Sequence, residues 1–169
     1  MERLLCTIGF TGKTAEEFFT LLKDAGVQQV IDIRQNRGGQ LSGFAKHPDL
    51  AFFLRAVERI AYAHEPLLAP PPDLLKSYRK NKNWPAYEEA FLAEMKERGV
   101  PEKLDTSAWA SKVALLCSEA GPEKCHRRLA ADLLTEHWRR CGDLVEIRHL
   151  IAERKAPRKP RRKKGAVIP

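Results

Sequence analysis

The sequence predicts an α/β fold, a Rossmann-like open sheet of five mostly parallel strands with helices on both faces. Two observations carry this reading. Short apolar, β-branched runs alternate along the chain with longer segments of helical period. Several runs also end in polar or charged residues, as buried parallel strands do where they leave the sheet. Joining such strands through helices gives right-handed crossovers.

The elements follow in order. Residues 4–8 form the first apolar run, and GFTGKT (9–14) comes directly after it. A phosphate-cradling loop needs G-x-x-x-x-G-K-[ST], so its first glycine would stand at position 7, where Thr7 stands instead. The stretch therefore reads as a turn before a helix over 14–25. Thr14 and Glu17 make a T-x-x-E capping box, and Phe18, Leu21 and Leu22 form the apolar stripe. Gly26 stands where helices commonly stop. VQQVIDIR (27–34) is the second strand, followed by the glycine-rich RQNRGGQLSGFAK. The period then predicts a helix over 48–59 with Leu50, Phe53, Leu54 and Val57 facing inward. IAYAHEPL is a short third strand, broken by Pro70, Pro71 and Pro72. Helical stretches follow at 73–79 and 84–98. KVALLCSE is the strongest strand, then a helix from about Pro122 to Arg140 with proline in its first turn. Gly142 ends that helix and LVEIRHL is the last strand. The chain holds no internal repeat.

A body of this size, residues 1–152, suits one domain with a substantial core. Residues 153–169 read as a basic, flexible tail. Arg154, Lys155, Arg158, Lys159, Arg161, Arg162, Lys163 and Lys164 account for the whole net charge of +8, because the other 22 Lys and Arg balance 22 Asp and Glu. Pro-interrupted basic tails bind polyanions, which points to nucleic acid as partner, with DNA ahead of RNA. No apolar run approaches a membrane span and no signal peptide is visible, so a cytoplasmic location and no membrane partner are expected. The four cysteines lack C-x-x-C spacing, so neither a disulfide scaffold nor a metal site is expected, and no cofactor motif is present.

Open parallel sheets bind ligands beyond the carboxyl ends of their strands. That rule gathers Thr7 and Gly9, the segment 32–37, His64 with Glu65, and the segment 117–128. Three motifs in this order, TIGF, DIRQNR and C-x-E-x5-C-H-R (Cys117, Glu119, Cys125, His126, Arg127), resemble the DUF488 family over residues 4–150. The resemblance implies a Rossmann-like α/β domain of largely uncharacterised activity. It also implies a polar site containing Thr7, Gly9, Asp32, Arg34, Arg37, Cys117, Glu119, Cys125, His126 and Arg127.

The residue types define the chemistry to be tested. Asp32 and Glu119 are expected to end neighbouring or nearly neighbouring strands and to face one cleft, and paired carboxylates can divide acid and base roles or stabilise a cationic transition state. Locking in ion pairs with Arg34 or Arg127 is the plainer role for both. Thr7, Gly9, Phe10, Arg34, Arg37, His126 and Arg127 are the expected substrate or phosphate ligands, helped by the dipole of the helix that contains His126. Cys117 and Cys125 are the available thiols. A Cys-x5-Arg anion loop is absent, because Glu123 and Ala131 stand at the arginine positions. Phe44, Tyr62, Tyr78, Trp84 and Tyr87 are aromatics able to stack on a base. The leading expectation is an enzyme acting on a base or nucleotide of nucleic acid, such as N-glycosidic hydrolysis in DNA repair. A non-catalytic phosphate-binding module and a cysteine-dependent enzyme are the alternatives.

Overall fold

The structure is a computed structural model and describes residues 1–39 and 43–152. Its elements run β1 (Glu2–Gly9), α1 (Ala15–Asp24), β2 (Gln29–Asp32), α2 (Asp49–Glu58), β3 (Ala61–His64), α3 (Pro72–Asn81), α4 (Trp84–Arg98), β4 (Lys112–Cys117), α5 (His126–Arg140) and β5 (Leu144–Leu150). The five strands make one all-parallel sheet in the order β3-β2-β4-β1-β5.

The start of α1 is the capping box that the sequence announces. Thr14 Oγ1 accepts from the Glu17 N–H at 3.1 Å, and Glu17 Oε2 accepts from the Thr14 N–H at 2.9 Å. The start of α5 corrects the sequence reading. It begins at His126 with Cys125 as N-cap, not near Pro122. The segment before it is a loop whose Glu119 and Ala120 carbonyls accept from the Arg127 guanidinium.

Alternation along the strands divides the core in two. Leu5, Ile31, Ile33, Val113 and Leu115 pack under α4 and α5 against Phe91, Met95, Leu129 and Leu134. Cys6, Ile8, Val30, Ala114 and Leu116 pack under α1 and α2 against Phe18, Leu22, Leu50 and Leu54. Each such large side chain taken fully from water contributes about 1.5–3 kcal/mol before the entropy of ordering it.

The chain moves outward through β1, β2 and β3 with α1 and α2 on one face. It then returns through β4 to β5 with α3, α4 and α5 on the other. Reversing direction and face together keeps every crossover of one hand. The reversal also has a local consequence. β4 lies between β2 and β1, and its exit goes to the opposite face from both of theirs. The loops after β1 and β4 leave for opposite faces but stay joined at the carboxyl edge, where the Thr11 N–H donates to the Ser118 carbonyl at 3.1 Å, and this is the edge at which such sheets take ligands.

Candidate functional site

Arg127 lies at the centre of this carboxyl edge and is fully buried. Its Nη1 donates to Cys117 Sγ at 2.9 Å and to the Glu119 carbonyl at 2.7 Å, with Cys125 Sγ at 3.4 Å. Nη2 donates to the Ala120 carbonyl at 3.3 Å. Gly9 makes room for this, because a Cβ there would meet the Glu119 carbonyl and lie 2.9 Å from Arg127 Nη1. The guanidinium expected to hold a phosphate instead holds the β4–α5 loop and two sulfurs.

The sulfurs of Cys117 and Cys125 are 2.8 Å apart, and both residues are buried. Burial pushes the Cys117 thiol up, but the Cys125 S–H, the Arg127 cation and the Glu119 backbone N–H outweigh it and leave it below the ordinary thiol value. Burial and the neighbouring Cys117 sulfur drive Cys125 the other way, well above. Of the two sulfurs, Cys117 therefore loses its proton more readily and Cys125 is the one that keeps it and donates. Cys6, without such donors, is pushed by burial to about 11.

His126 is buried beside them. Burial drives its ring down to about 4, although the Ile33 carbonyl favours the charged form. Nε2 lies 3.3 Å from that carbonyl and Nδ1 4.0 Å from Cys125 Sγ. The neutral ring therefore carries its proton on Nε2 and turns the Nδ1 lone pair to the thiol. Phe91, Tyr87, Trp84 and Tyr78 continue from the ring as a chain of stacked or tilted aromatics reaching the surface. Burial raises the Tyr87 phenol, and Cys125, Cys117 and Glu119 add to it.

The other expected ligands are held elsewhere. Asp32 is fully buried, and all its acceptor positions are filled. Oδ1 takes the Arg34 N–H at 3.1 Å and Nε at 2.8 Å. Oδ2 takes Arg34 Nη2 and the Tyr62 hydroxyl, at 2.7 and 2.8 Å. Burial, with Asp32 adding to it, raises Tyr62 to about 12, so this hydroxyl keeps its proton. Arg34 also stacks over Phe10, 5.2 Å from the ring centre. Thr7 Oγ1 meets His149 Nδ1 at 2.8 Å. Arg37 is half-buried and only its Nη1 contacts Tyr62, at 3.4 Å. Glu119 is exposed, and no contact joins its carboxylate to Asp32. The plainer role thus fits Asp32, an ion pair with Arg34. Arg127 takes the carbonyl of Glu119 and not its side chain.

Only residues 14–134 match a family model, described as Domain of unknown function DUF488. The chain belongs to the DUF488 family. The matched span contains DIRQNR and the C-x-E-x5-C-H-R motif, so the thiol pair, His126 and Arg127 lie in the DUF488 part of the chain, whereas Thr7, Gly9 and Phe10 precede it. No curated protein and no solved structure matches.

Sequence reasoning missed Lys13. Once the phosphate-loop reading of GFTGKT failed, nothing local marked this lysine. Its side chain is 8% exposed, and no acceptor meets its ammonium among the described residues. Burial lowers its proton affinity, Arg127 lowers it further, and Cys117 and Glu17 raise it. Lys13 therefore sits beside the DUF488 thiol site.

Three features lie apart from this cluster. An open groove of about 1020 Å³ is found at the opposite edge of the sheet, where Arg3 pairs with Asp143 and Arg148 with Glu146. Among the described residues no group of His, Cys, Asp and Glu is placed to hold a metal, and no helix is long and apolar enough to cross a membrane. The eight basic residues of the tail lie outside the described residues.

Proposed function

We infer that the protein is a cysteine-dependent enzyme whose nucleophile is Cys117 Sγ, with Cys125 as the second thiol. The observation that carries this reading is the set of donors on one sulfur: the Cys125 S–H at 2.8 Å, Arg127 Nη1 at 2.9 Å and the Glu119 N–H. A sulfur held in this way gives up its proton more readily than an ordinary thiol, and its thiolate is the nucleophile. Cys125 supplies a proton, and the neutral Nδ1 of His126 is placed to receive one. Hydrolysis by an Asp32–Glu119 pair has less support, because Asp32 would first have to release Arg34 or Tyr62 before it could take a water. Alkylation by iodoacetamide, followed by peptide mass spectrometry across pH, tests the thiol reading. Cys117 should react with a midpoint below the ordinary thiol value, whereas exposed Cys141 serves as the reference. A Cys117 that stays unlabelled until Cys141 titrates would overturn it.

Nucleic acid as the partner has its own support. Lys76, Arg79, Lys80 and Lys82 are exposed along α3 and its C-cap, next to half-buried Tyr78 and Trp84. Arg128 and Lys82 lie over Trp84 and Tyr78, at 5.9 and 6.0 Å. A cationic stripe beside aromatic faces suits single-stranded DNA. Fluorescence anisotropy with a labelled oligonucleotide tests this. Affinity unchanged after Lys76, Arg79 and Lys80 are replaced by Gln would remove α3 from the interface.

A further inference from the structure

Cys117 ends β4 and Cys125 caps α5, eight positions on, and their sulfurs are 2.8 Å apart. Both are free thiols, and among the described residues no other two cysteine sulfurs meet. The contact is fixed from several sides. Cys117 is held in the sheet by its pairing with Gly9. The chain between the cysteines is pinned by the Arg127 guanidinium on the Glu119 and Ala120 carbonyls, and by the Thr11 N–H on the Ser118 carbonyl. Cys125 gives α5 no side-chain cap, so its sulfur is left to face Cys117. Two thiols already in contact need little motion to become a disulfide.

The charge around them sets which state is favoured. Arg127 Nη1 donates to both sulfurs, at 2.9 Å to Cys117 and 3.4 Å to Cys125, and its other acceptors are neutral carbonyls. In the reduced pair, Cys117 can answer this buried cation by losing its proton. In a disulfide neither sulfur is charged, and the guanidinium keeps the carbonyls alone. Burying a charge without a counter-charge is costly, so the surroundings favour the dithiol and make a disulfide here easy to reduce. A permanent crosslink is not served by such a neighbour.

Access selects the oxidant. Cys117 is 0% exposed and Cys125 2%, which keeps a bulky disulfide substrate from laying its sulfur alongside. A hydroperoxide is close to water in size, and the loop between the cysteines is thin, with Glu119, Ala120, Glu123 and Lys124 exposed.

We propose that Cys117 and Cys125 form a reversible redox site, which a small hydroperoxide oxidises to an intramolecular disulfide. The Cys117 thiolate attacks the peroxide hydroxyl oxygen and the O–O bond breaks. The sulfur becomes a sulfenic acid, and the peroxide, reduced by two electrons, leaves as alcohol or water after taking a proton from solvent. The Cys125 sulfur then attacks the Cys117 sulfur. The S–S bond forms, and the Cys125 proton departs with the sulfenic hydroxyl as water. A dithiol reductant restores both thiols by exchange and is itself oxidised to a disulfide. This rests on the thiol reading for Cys117 as the attacking sulfur, whereas the disulfide stands on the contact between the sulfurs.

The test uses the full chain carrying Cys141→Ser, which removes the exposed thiol able to join two molecules. The folded protein is treated at neutral pH with hydrogen peroxide in one arm and glutathione disulfide in another. Remaining thiols are then blocked in denaturant and the peptides mapped by mass spectrometry. Peroxide should give a Cys117–Cys125 crosslink that lowers the mass by two hydrogens, spares Cys6 and disappears with dithiothreitol. Glutathione disulfide should give it far more slowly. In Cys125→Ser the crosslink should be lost entirely, with sulfenic or sulfinic acid at Cys117 in its place. Should that variant not fold, the crosslink in its parent decides alone. Four results would overturn the proposal: oxidation at Cys117 without a crosslink while Cys125 is present, a crosslink formed only in urea, one that dithiothreitol leaves intact, or one made as fast by glutathione disulfide. The two readings fail separately. A Cys117 that takes iodoacetamide but yields no crosslink keeps the nucleophile and removes the disulfide, and a crosslink in a protein whose Cys117 resists iodoacetamide does the reverse.

Discussion

Replacing Gly9 by Ala tests the packing on which the site depends. Gly9 pairs with Cys117 across the sheet, at the ends of β1 and β4. An added Cβ would stand 2.8 Å from the Glu119 carbonyl carbon and 2.9 Å from Arg127 Nη1. The first neighbour is backbone, and the second is a guanidinium end held in place by the Glu119 carbonyl and two sulfurs, so the β4–α5 loop must retreat. Overpacking of this kind costs about 1–3 kcal/mol. The retreat also lengthens the 2.7 Å bond from Arg127 to the Glu119 carbonyl, and a charged hydrogen bond is worth about 1.5–3 kcal/mol. Together they predict a loss of about 2.5–6 kcal/mol from a domain of typical stability about 5–15 kcal/mol. In urea, with a slope of about 2 kcal/mol per molar, the midpoint should fall by about 1.2–3 M. Alkylation of Cys117 should accelerate in the variants that remain folded. Gly12→Ala is the control: it has positive φ, 77°, and open space, so it costs only about 1–2 kcal/mol of backbone strain and leaves the thiols covered. A Gly9→Ala protein within about 0.5 kcal/mol of its parent would refute this account of the close approach.

His126 is held neutral in the folded chain at about 4, against about 6.5 when unfolded, so stability should fall by about 3 kcal/mol as pH drops through that window. His149, lowered by burial and Arg127, acts with the same sign, and urea midpoints across pH should flatten in His126→Gln. Asp32→Asn leaves the Arg34 charge buried and half-paired and should cost about 3–5 kcal/mol in urea unfolding, whereas Tyr62→Phe should cost about 1 kcal/mol. Cys6, pushed up to about 11, should resist alkylation at pH 8 while Cys117 reacts, as read by peptide mass spectrometry. Removing residues 154–169 takes away eight positive charges. If four to six of them meet phosphates, the salt slope of DNA binding should fall by about 4–6 units in anisotropy titrations.

Local pattern alone determined the element order, the capping box at Thr14, the five strands and the two-sided α/β layering. Each depends on residues within a turn or two of one another, where period and capping chemistry act directly. It also directed attention to the strand ends, because buried parallel strands emerge at polar residues. Which groups remain available for chemistry is a different matter. Asp32 and Arg34 stand two apart, yet their mutual saturation depends on Tyr62 from the next strand. Arg127 turns inward because Gly9, more than a hundred positions away, leaves space for it. Pro122 reads as a helix start, yet α5 begins at His126, after a loop whose Glu119 and Ala120 carbonyls meet that guanidinium. Lys13 looked like a fragment of a failed phosphate loop, and only the placement of β4 between β2 and β1 brings it to the thiol pair. Periodicity states which face of an element is buried. The acceptor that meets a buried cation is chosen by strand order and close approach, and these exist only in the assembled sheet.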